Sequence, residues 1–373
     1  MLTQPSAIGG YEDWPAFMAS HDRFIPADGA AGRVAAALGV PAPTPVDPDR
    51  GLSWHDEVVV DGVRIRHLGW QLPFGPPTKA TLLTPVHHDG LLPGLLWLNC
   101  HGGNKWLGAE RLVDLGPETS PDVVALQRKL YAGRAVANDF ARAGFAVLVH
   151  DAFSWGSRRF NLTPAPGRAA DALRAATALW ASEGVQASPE LKYNTLAAQH
   201  ENTVAKAAAL LGTSYAGMVA SEDLTALGVL RGLPDVDAHR IGAGGFSGGG
   251  GRALVLAAMT GDLGACVIAC MMTTHASLFP AYLESHSWLL STPGLATVSE
   301  WPDLTALAPN TRFLAQYALG DELFPVEGMR AADHRLQELH DDDRYKGDWH
   351  AGGHVFAADF FTQARDHFCE VLQ

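Results

Sequence analysis

The 373-residue chain reads as an α/β protein, with a mostly parallel central sheet and helices on both faces. Three observations predict this. Strand-like apolar runs alternate with helical stretches along the whole chain. Leu95–Cys100 is apolar enough to be buried on both faces, as a central parallel strand must be, and Phe145–His150 reads as a second central strand. Finally, Ile241–Gly251 is a short buried strand running into a glycine-rich turn, and the turn opens the helical run Ala253–Ala258.

Taken in order, residues 1 to about 50 are rich in Pro, Ala and Gly, with one helical patch at Ala30–Leu38, and read as an arm or cap over the body. A hairpin follows: Glu57–Asp61, Gly62 at the turn, then Val63–Leu72. Thr78–Thr84 and Leu95–Cys100 are the next strands. Tyr131–Arg142 is expected to be helical, stopped by Gly144 before the strand Phe145–His150. Residues 155–195 are expected to form an irregular, Ala- and Pro-rich insertion. Two helices come next, Leu196–Leu211 and Tyr215–Leu230, and Asp235–Arg240 leads into the strand before the glycine turn. Ala265–Met272 and Arg312–Leu319 read as strands and Val355–Leu372 as the last helix. The domain reading is an N-terminal segment, 1–50, and one α/β domain, 51–373, with cap-like insertions near 105–130 and 155–195.

A hydrophobic fraction of 47% and a charged fraction of 18% fit a globular protein. The net charge of −13 argues against nucleic acid or an anionic membrane as a partner, since both repel an acidic surface. No apolar run is long enough to cross a bilayer, and Met1–Gly10 shows no basic stretch followed by an apolar one, so a cytoplasmic protein is expected. Cys100, Cys266, Cys270 and Cys369 form no C-x-x-C pair; buried free thiols are expected, with no metal and no organic cofactor. A small-molecule partner is expected, and a homo-oligomer is compatible with this composition.

The chemistry is concentrated in Gly245-Phe246-Ser247-Gly248-Gly249, which fits G-x-S-x-G. A serine on a sharp strand-to-helix turn has a strained backbone, and side chains at the flanking positions would collide with strand and helix. Such a turn lifts the Ser247 hydroxyl clear of the sheet and lets the Gly248 N–H face a developing oxyanion. Gly242-x-Gly244 also begins a dinucleotide-type G-x-G-x-x-G, but Ser247 stands where the third glycine belongs, and the turn comes late in the chain.

An activated serine needs a base, and the base an orienting acid. Asp321 follows the strand 312–319 directly and fits the acid; Glu322 is its neighbouring alternative. His354 follows two glycines just before the last helix and fits the base. His350 is the rival in that loop, read as a partly exposed surface histidine. His350 and His354 have the spacing of a metal pair, but the segment is too glycine-rich for a helix and lacks the glutamate of H-E-x-x-H. The loop His101-Gly102-Gly103-Asn104 suits a second oxyanion donor; Gly103 is the first choice, Gly102 or Asn104 the alternatives. Trp106, Trp155 and Trp288, with Phe279 and Tyr282, fall where a pocket would be and suggest an apolar acyl or alcohol site. Arg158 and Arg159 are candidates for holding a substrate carboxylate.

The order Ser247, Asp321, His354 is that of the α/β-hydrolases. Together with His101–Gly103, His150–Arg158, Leu211–Gly217, Asp235–Gly242, Leu319–Pro325 and Gly352–Phe356, it makes residues 78–373 resemble that superfamily, in the branch containing acetyl xylan esterase-like and dienelactone hydrolase-like proteins. The chain departs from the branch in its N-terminal arm, in Lys105–Gln127 and in 155–195. The resemblance implies the α/β-hydrolase fold and a serine hydrolase with Ser247 as nucleophile, His354 as base and Asp321 as acid; with Gly103 and Gly248 at the oxyanion, the expected activity is that of a serine esterase. An acyltransferase or cyclase using the same three residues, and a non-catalytic binding scaffold, are the alternatives.

Overall fold

Alternating burial explains why the apolar runs become strands. In Leu92–Leu98 every residue is buried; Leu95 and Trp97 enter one core, Leu96 and Leu98 the other. A computed structural model of the chain describes residues 9–14, 16–17, 29–279, 281–341 and 343–373. The first eight residues, on which the reading of a leader-free N-terminus rests, lie outside them, as do residues 15 and 18–28 of the N-terminal arm.

Among the described residues the sheet holds nine strands: β1 (Ser53–Val60), β2 (Val63–Trp70), β3 (Thr78–Pro85), β4 (Leu92–Leu98), β5 (Ala146–His150), β6 (Val236–Phe246), β7 (Ala265–Ala269), β8 (Arg312–Ala318) and β9 (Tyr345–His350). Their order is β1-β2-β3-β5-β4-β6-β7-β8-β9, antiparallel from β1 to β5 and parallel from β5 to β9. The helices are α1 (Ala30–Leu38), α2 (Pro121–Leu130), α3 (Val136–Arg142), α4 (Gly167–Ser182), α5 (Pro189–Leu210), α6 (Tyr215–Gly232), α7 (Gly248–Thr260), α8 (Val326–Leu339) and α9 (Ala358–Leu372). Helices α1, α6, α7 and α8 cover one face of the sheet, and α2, α3 and α9 the other. A third cluster, built from Tyr11, Trp14, Phe74, Phe153, Trp155 and Phe160, packs under α5.

The structure corrects several expectations. Residues 155–195 are not irregular: they hold α4 and the start of α5. Pro166 sits at the N-cap of α4, and Pro189 at the first turn of α5 behind Ser188, whose hydroxyl accepts from Leu191 N. Prolines there begin helices, where their missing N–H costs nothing. The helix expected over Tyr131–Arg142 is only Val136–Arg142, because Ala132 (φ 52°) and Gly133 (φ 78°) turn the chain between α2 and α3. Helix α2, capped by Ser120, lies in the cap-like stretch 105–130. Asp235–Arg240 does more than lead into β6: most of it is β6, with a register shift opposite Pro93/Gly94. Strand β9 was not foreseen; with Lys346, Gly347 and Asp348 in its middle it has no apolar run, and it lies at the edge of the sheet.

One buried charge cluster ties the central elements together beneath the site. Arg252 of α7 grips Asp223 of α6 through two bonds of 3.0 and 2.6 Å, and its other nitrogen reaches the Asn99 carbonyl and side chain at 3.2 and 3.1 Å. His150, at the end of β5, comes within 3.0 Å of the same carboxylate. Burial pushes the Asp223 carboxyl up, but Arg252 and His150 together outweigh it and hold the group below its ordinary value. Asp223→Asn leaves a buried guanidinium without its counter-charge, and we expect a loss of about 3–5 kcal/mol in urea unfolding near neutral pH. A group whose folded-state value is lowered stabilises the fold above its unfolded value, about pH 4, and that contribution fades as pH falls through the lowered value. The deficit of the variant should therefore shrink toward acid.

Candidate active site

Parallel strands deliver their functional loops at their C-terminal ends. Ser247 directly follows β6, Asp321 lies three residues beyond β8, His354 four beyond β9, and His101 three beyond β4. Ser247 has φ 55° and ψ −127°, a strained backbone for a residue with a side chain. The surroundings enforce it. A Cβ on Gly245 would lie 2.6 Å from the Gly249 oxygen and 2.7 Å from that of Leu98; one on Gly249 would lie 2.8 Å from the Leu98 carbonyl carbon and closer to its oxygen. The Ser247 N–H donates to the Ala269 carbonyl at 2.7 Å, and its own carbonyl accepts from Gly250 at 2.8 Å. These bonds leave the hydroxyl half-buried and facing the cavity.

His354 Nε2 is 2.8 Å from Ser247 Oγ, and His354 Nδ1 is 2.6 Å from Asp321 Oδ2. The other Asp321 oxygen accepts from Leu323 N at 2.9 Å. The Asp321 side chain is fully buried, whereas His354 keeps 18% of its surface. The imidazole packs on Phe246, with ring centres 4.8 Å apart. Cys270 lies behind this line, its thiol among atoms within 4.8 Å of one another with Asp321 and His354. Burial, reinforced by Asp321, pushes that thiol well up, so it stands as a neutral neighbour.

Gly248 opens α7, where the first N–H groups have no intrahelical acceptor and the helix dipole is positive. Across from it lies His101: a Cβ on Gly248 would be 3.2 Å from the His101 backbone nitrogen. The amide of Gly103 is committed elsewhere, donating to His101 Nδ1 at 3.1 Å, and that of Asn104 donates to the His101 carbonyl at 3.1 Å. The backbone nitrogen beside Gly248 is thus that of His101, one residue before the glycines singled out in the sequence.

The cavity above Ser247 has a volume of about 770 Å3. Phe246, Met271, Leu289, Leu290, Leu323 and Phe324 supply its apolar wall, and Lys129, Glu201, Glu284, Ser285, His286, Ser287 and Glu322 its polar wall. The candidate tryptophans are not among its lining. Trp155 is fully buried behind His101, ring centres 5.3 Å apart. Trp106 stacks under Arg159, 4.4 Å from ring to guanidinium, and lines a separate cavity. Trp288 turns its indole N–H to Asn202 at 3.0 Å. Phe279 is 65% exposed and Tyr282 packs on the core, both outside the cavity lining. Arg158 is buried and bidentate on Glu222, at 3.2 and 2.5 Å, so it has no free face for a substrate. His350 is buried between Asp348 and Asp359, at 2.8 and 2.6 Å, and not a surface residue. Glu322 is exposed at the rim, away from the imidazole line.

Sequence reasoning missed Glu201. On α5, buried, it accepts from His101 Nε2 at 3.0 Å, pairs with Lys105 Nζ at 2.5 Å and accepts from Trp288 N at 2.9 Å. Burial pushes its carboxyl up, but the Lys105 ammonium and His101 outweigh this and hold it well below the usual range. An isolated glutamate in an Ala-rich helix carries no sequence signal for this; only the fold brings residues 101, 105, 201 and 288 together.

No protein-family model matches the chain. YtaP of Bacillus subtilis (strain 168), whose assignment as a hydrolase is itself provisional, is 23% identical over 262 residues, covering 70% of this chain and 71% of YtaP. Among solved structures, a glucuronoyl esterase from Solibacter usitatus superposes with a TM-score of 0.58 at 14% identity, covering 100% of this chain and 99% of that one. Acetyl xylan esterase 1 from Thermoanaerobacterium sp. JW/SL YS485 gives 0.54 at 14% identity, covering 96% and 98%. At such identities the likeness establishes the fold.

The glycine contacts separate two roles. Gly249→Ala should fail to fold or lose several kcal/mol, because no Cβ fits against Leu98. Gly248→Ala, whose Cβ meets His101 N at 3.2 Å, should fold and lose activity instead. Thermal melts and ester-hydrolysis assays on both variants check this; a stable Gly249→Ala protein would contradict it.

Proposed function

We propose that this chain, whose fold is that of the α/β-hydrolases, is a serine esterase that cleaves a carboxylic ester of a small or medium-sized substrate. The observation that carries the reading is the continuous line of bonds Asp321–His354–Ser247, 2.6 and 2.8 Å long, opening on a cavity. His354 Nε2 takes the Ser247 proton as Oγ attacks the carbonyl carbon, while Asp321 holds the Nδ1–H and stabilises the imidazolium. The oxyanion of the tetrahedral intermediate is held by the N–H groups of Gly248 and His101. His101 replaces Gly103 in this role because the Gly103 amide is already bonded. Collapse breaks the C–O bond to the alcohol, which leaves with the proton from His354. A water deprotonated by His354 then cleaves the acyl-enzyme and restores Ser247.

The lining speaks to the substrate class. Apolar side chains near Ser247 suit a short acyl chain, while Glu284, Ser285, His286 and Ser287 offer hydrogen-bonding groups to a polar alcohol. The acetyl xylan esterase that shares the fold is named for a short acyl group on a polysaccharide, which agrees with that division of the wall. The four free thiols suit the cytoplasmic setting we propose, and among the described residues no helix is long and apolar enough to cross a membrane.

Hydrolysis of p-nitrophenyl acetate tests the reading. Ser247→Ala and His354→Ala should each lower kcat by about 10⁴-fold or more, and Asp321→Asn by a comparable factor, with folding unchanged. Turnover that survives Ser247→Ala would refute it.

A further inference from the structure

Helix α5 grips the loop after β4 at three points. Glu190 accepts from Asn104 Nδ2 at 2.5 Å, Asn194 accepts from the backbone N–H groups of Lys105 and Trp106 at 2.8 and 3.0 Å, and Glu201 accepts from His101 Nε2 at 3.0 Å. The last bond differs from the others because it reaches the residue whose backbone faces Gly248. With Nε2 donating to a carboxylate, Nδ1 of His101 is left with its lone pair, and that nitrogen accepts from Gly103 N–H at 3.1 Å. The ring is therefore pinned at both nitrogens: one bond closes the loop on itself, and the other anchors the closed loop to α5.

We propose that Glu201 is a positioning residue for the oxyanion hole: by fixing the tautomer and orientation of His101, it sets the direction of the His101 backbone N–H opposite Gly248. This inference rests on the esterase reading and adds a residue to it. Lys105, itself bonded to Tyr215 Oη at 2.9 Å, keeps the carboxylate charged in its buried position. The remaining Glu201 oxygen takes Trp288 N–H, so the same carboxylate also holds the wall segment carrying Ser287 and Leu289. Glutamine is nearly isosteric here but cannot serve both sets of donors. Its amide nitrogen would meet the Nε2–H of His101, the ammonium of Lys105 or the N–H of Trp288, each of which needs an acceptor.

The test is kinetic and uses the full chain: wild type, Ser247→Ala, Glu201→Gln, His101→Asn and the double variant, with p-nitrophenyl acetate as substrate and benzeneboronic acid as tetrahedral mimic. Asn at 101 can still accept from Gly103 N–H but is too short to reach Glu201. Misplacing an oxyanion donor slightly should lower kcat about ten- to a hundredfold in each single variant, with KM within about threefold. The inhibition constant of the boronic acid should rise by the same factor, because its oxygen occupies the oxyanion position. Because the two residues act through one bond, the double variant should fall no more than about threefold below the worse single. A folded Glu201→Gln enzyme with unchanged kcat and boronate affinity would overturn the proposal, as would a loss confined to KM or losses that multiply in the double variant. Should Glu201→Gln fail to fold, His101→Asn, which leaves the Lys105 and Trp288 bonds in place, carries the test by the same two readouts. The esterase reading fails separately: a wild type without turnover, or a Ser247→Ala enzyme as active as wild type, sinks that reading, while an active wild type with an inert Ser247→Ala leaves only the role of Glu201 at stake.

Discussion

The site depends on one close approach. At the end of the two central strands the Leu98 carbonyl presses against the backbone of Gly249, and Gly249 in turn against Gly245, so that β4, β6 and the first turn of α7 meet with no room for a side chain. That compression bends the chain at Ser247 into a conformation an L-residue rarely adopts. It also brings the N-terminus of α7 beside the loop leaving β4. The raised Ser247 hydroxyl, the helix dipole and the nearby His101 amide are thus consequences of a single packing contact. The buried Arg252–Asp223 pair holds it from below, since Arg252 sits one turn into α7 and reaches back to Asn99 just after β4.

The remaining pieces arrive by topology. β7 separates β6 from β8 by one strand width, and β9 adds another, so Asp321 and His354 approach Ser247 in sequence from the sheet edge. His354 must travel back over β8 to reach the serine, and its neighbours Gly352 and Gly353 keep that crossing free of side chains. The carboxylate has no exposed surface, whereas the imidazole is partly exposed to the cavity.

Much of this was legible in the sequence because it is written in short-range terms. The glycine spacing around Ser247 encodes a steric limit, and Leu95–Cys100 and Phe145–His150 encode burial by their unbroken apolar character. Asp321 and His354 stand out as functional residue types at the ends of elements. What escaped is long-range or weakly patterned. β9 is paired on one side only, so Tyr345 and His350 suffice to bury it and no apolar run marks it. α4 was read as irregular because its prolines lie at its start, where they favour a helix. Only Ala169 of that helix is buried, which leaves little periodic pattern to detect. The tryptophans near the motifs were placed by proximity in sequence, yet Trp155 points into the third core and Trp106 lies beneath Arg159. Glu201 and His101 are a hundred residues apart, and no local rule joins them.

The central claim is that the Ser247 hydroxyl is made nucleophilic by His354. A fluorophosphonate reagent followed by intact-mass and peptide mapping addresses it without any choice of substrate. One adduct per chain, on Ser247, formed rapidly by wild type and at least about a thousandfold more slowly by His354→Ala, is the predicted outcome. No adduct on wild type, an adduct on another residue, or equal rates in the two proteins would contradict it.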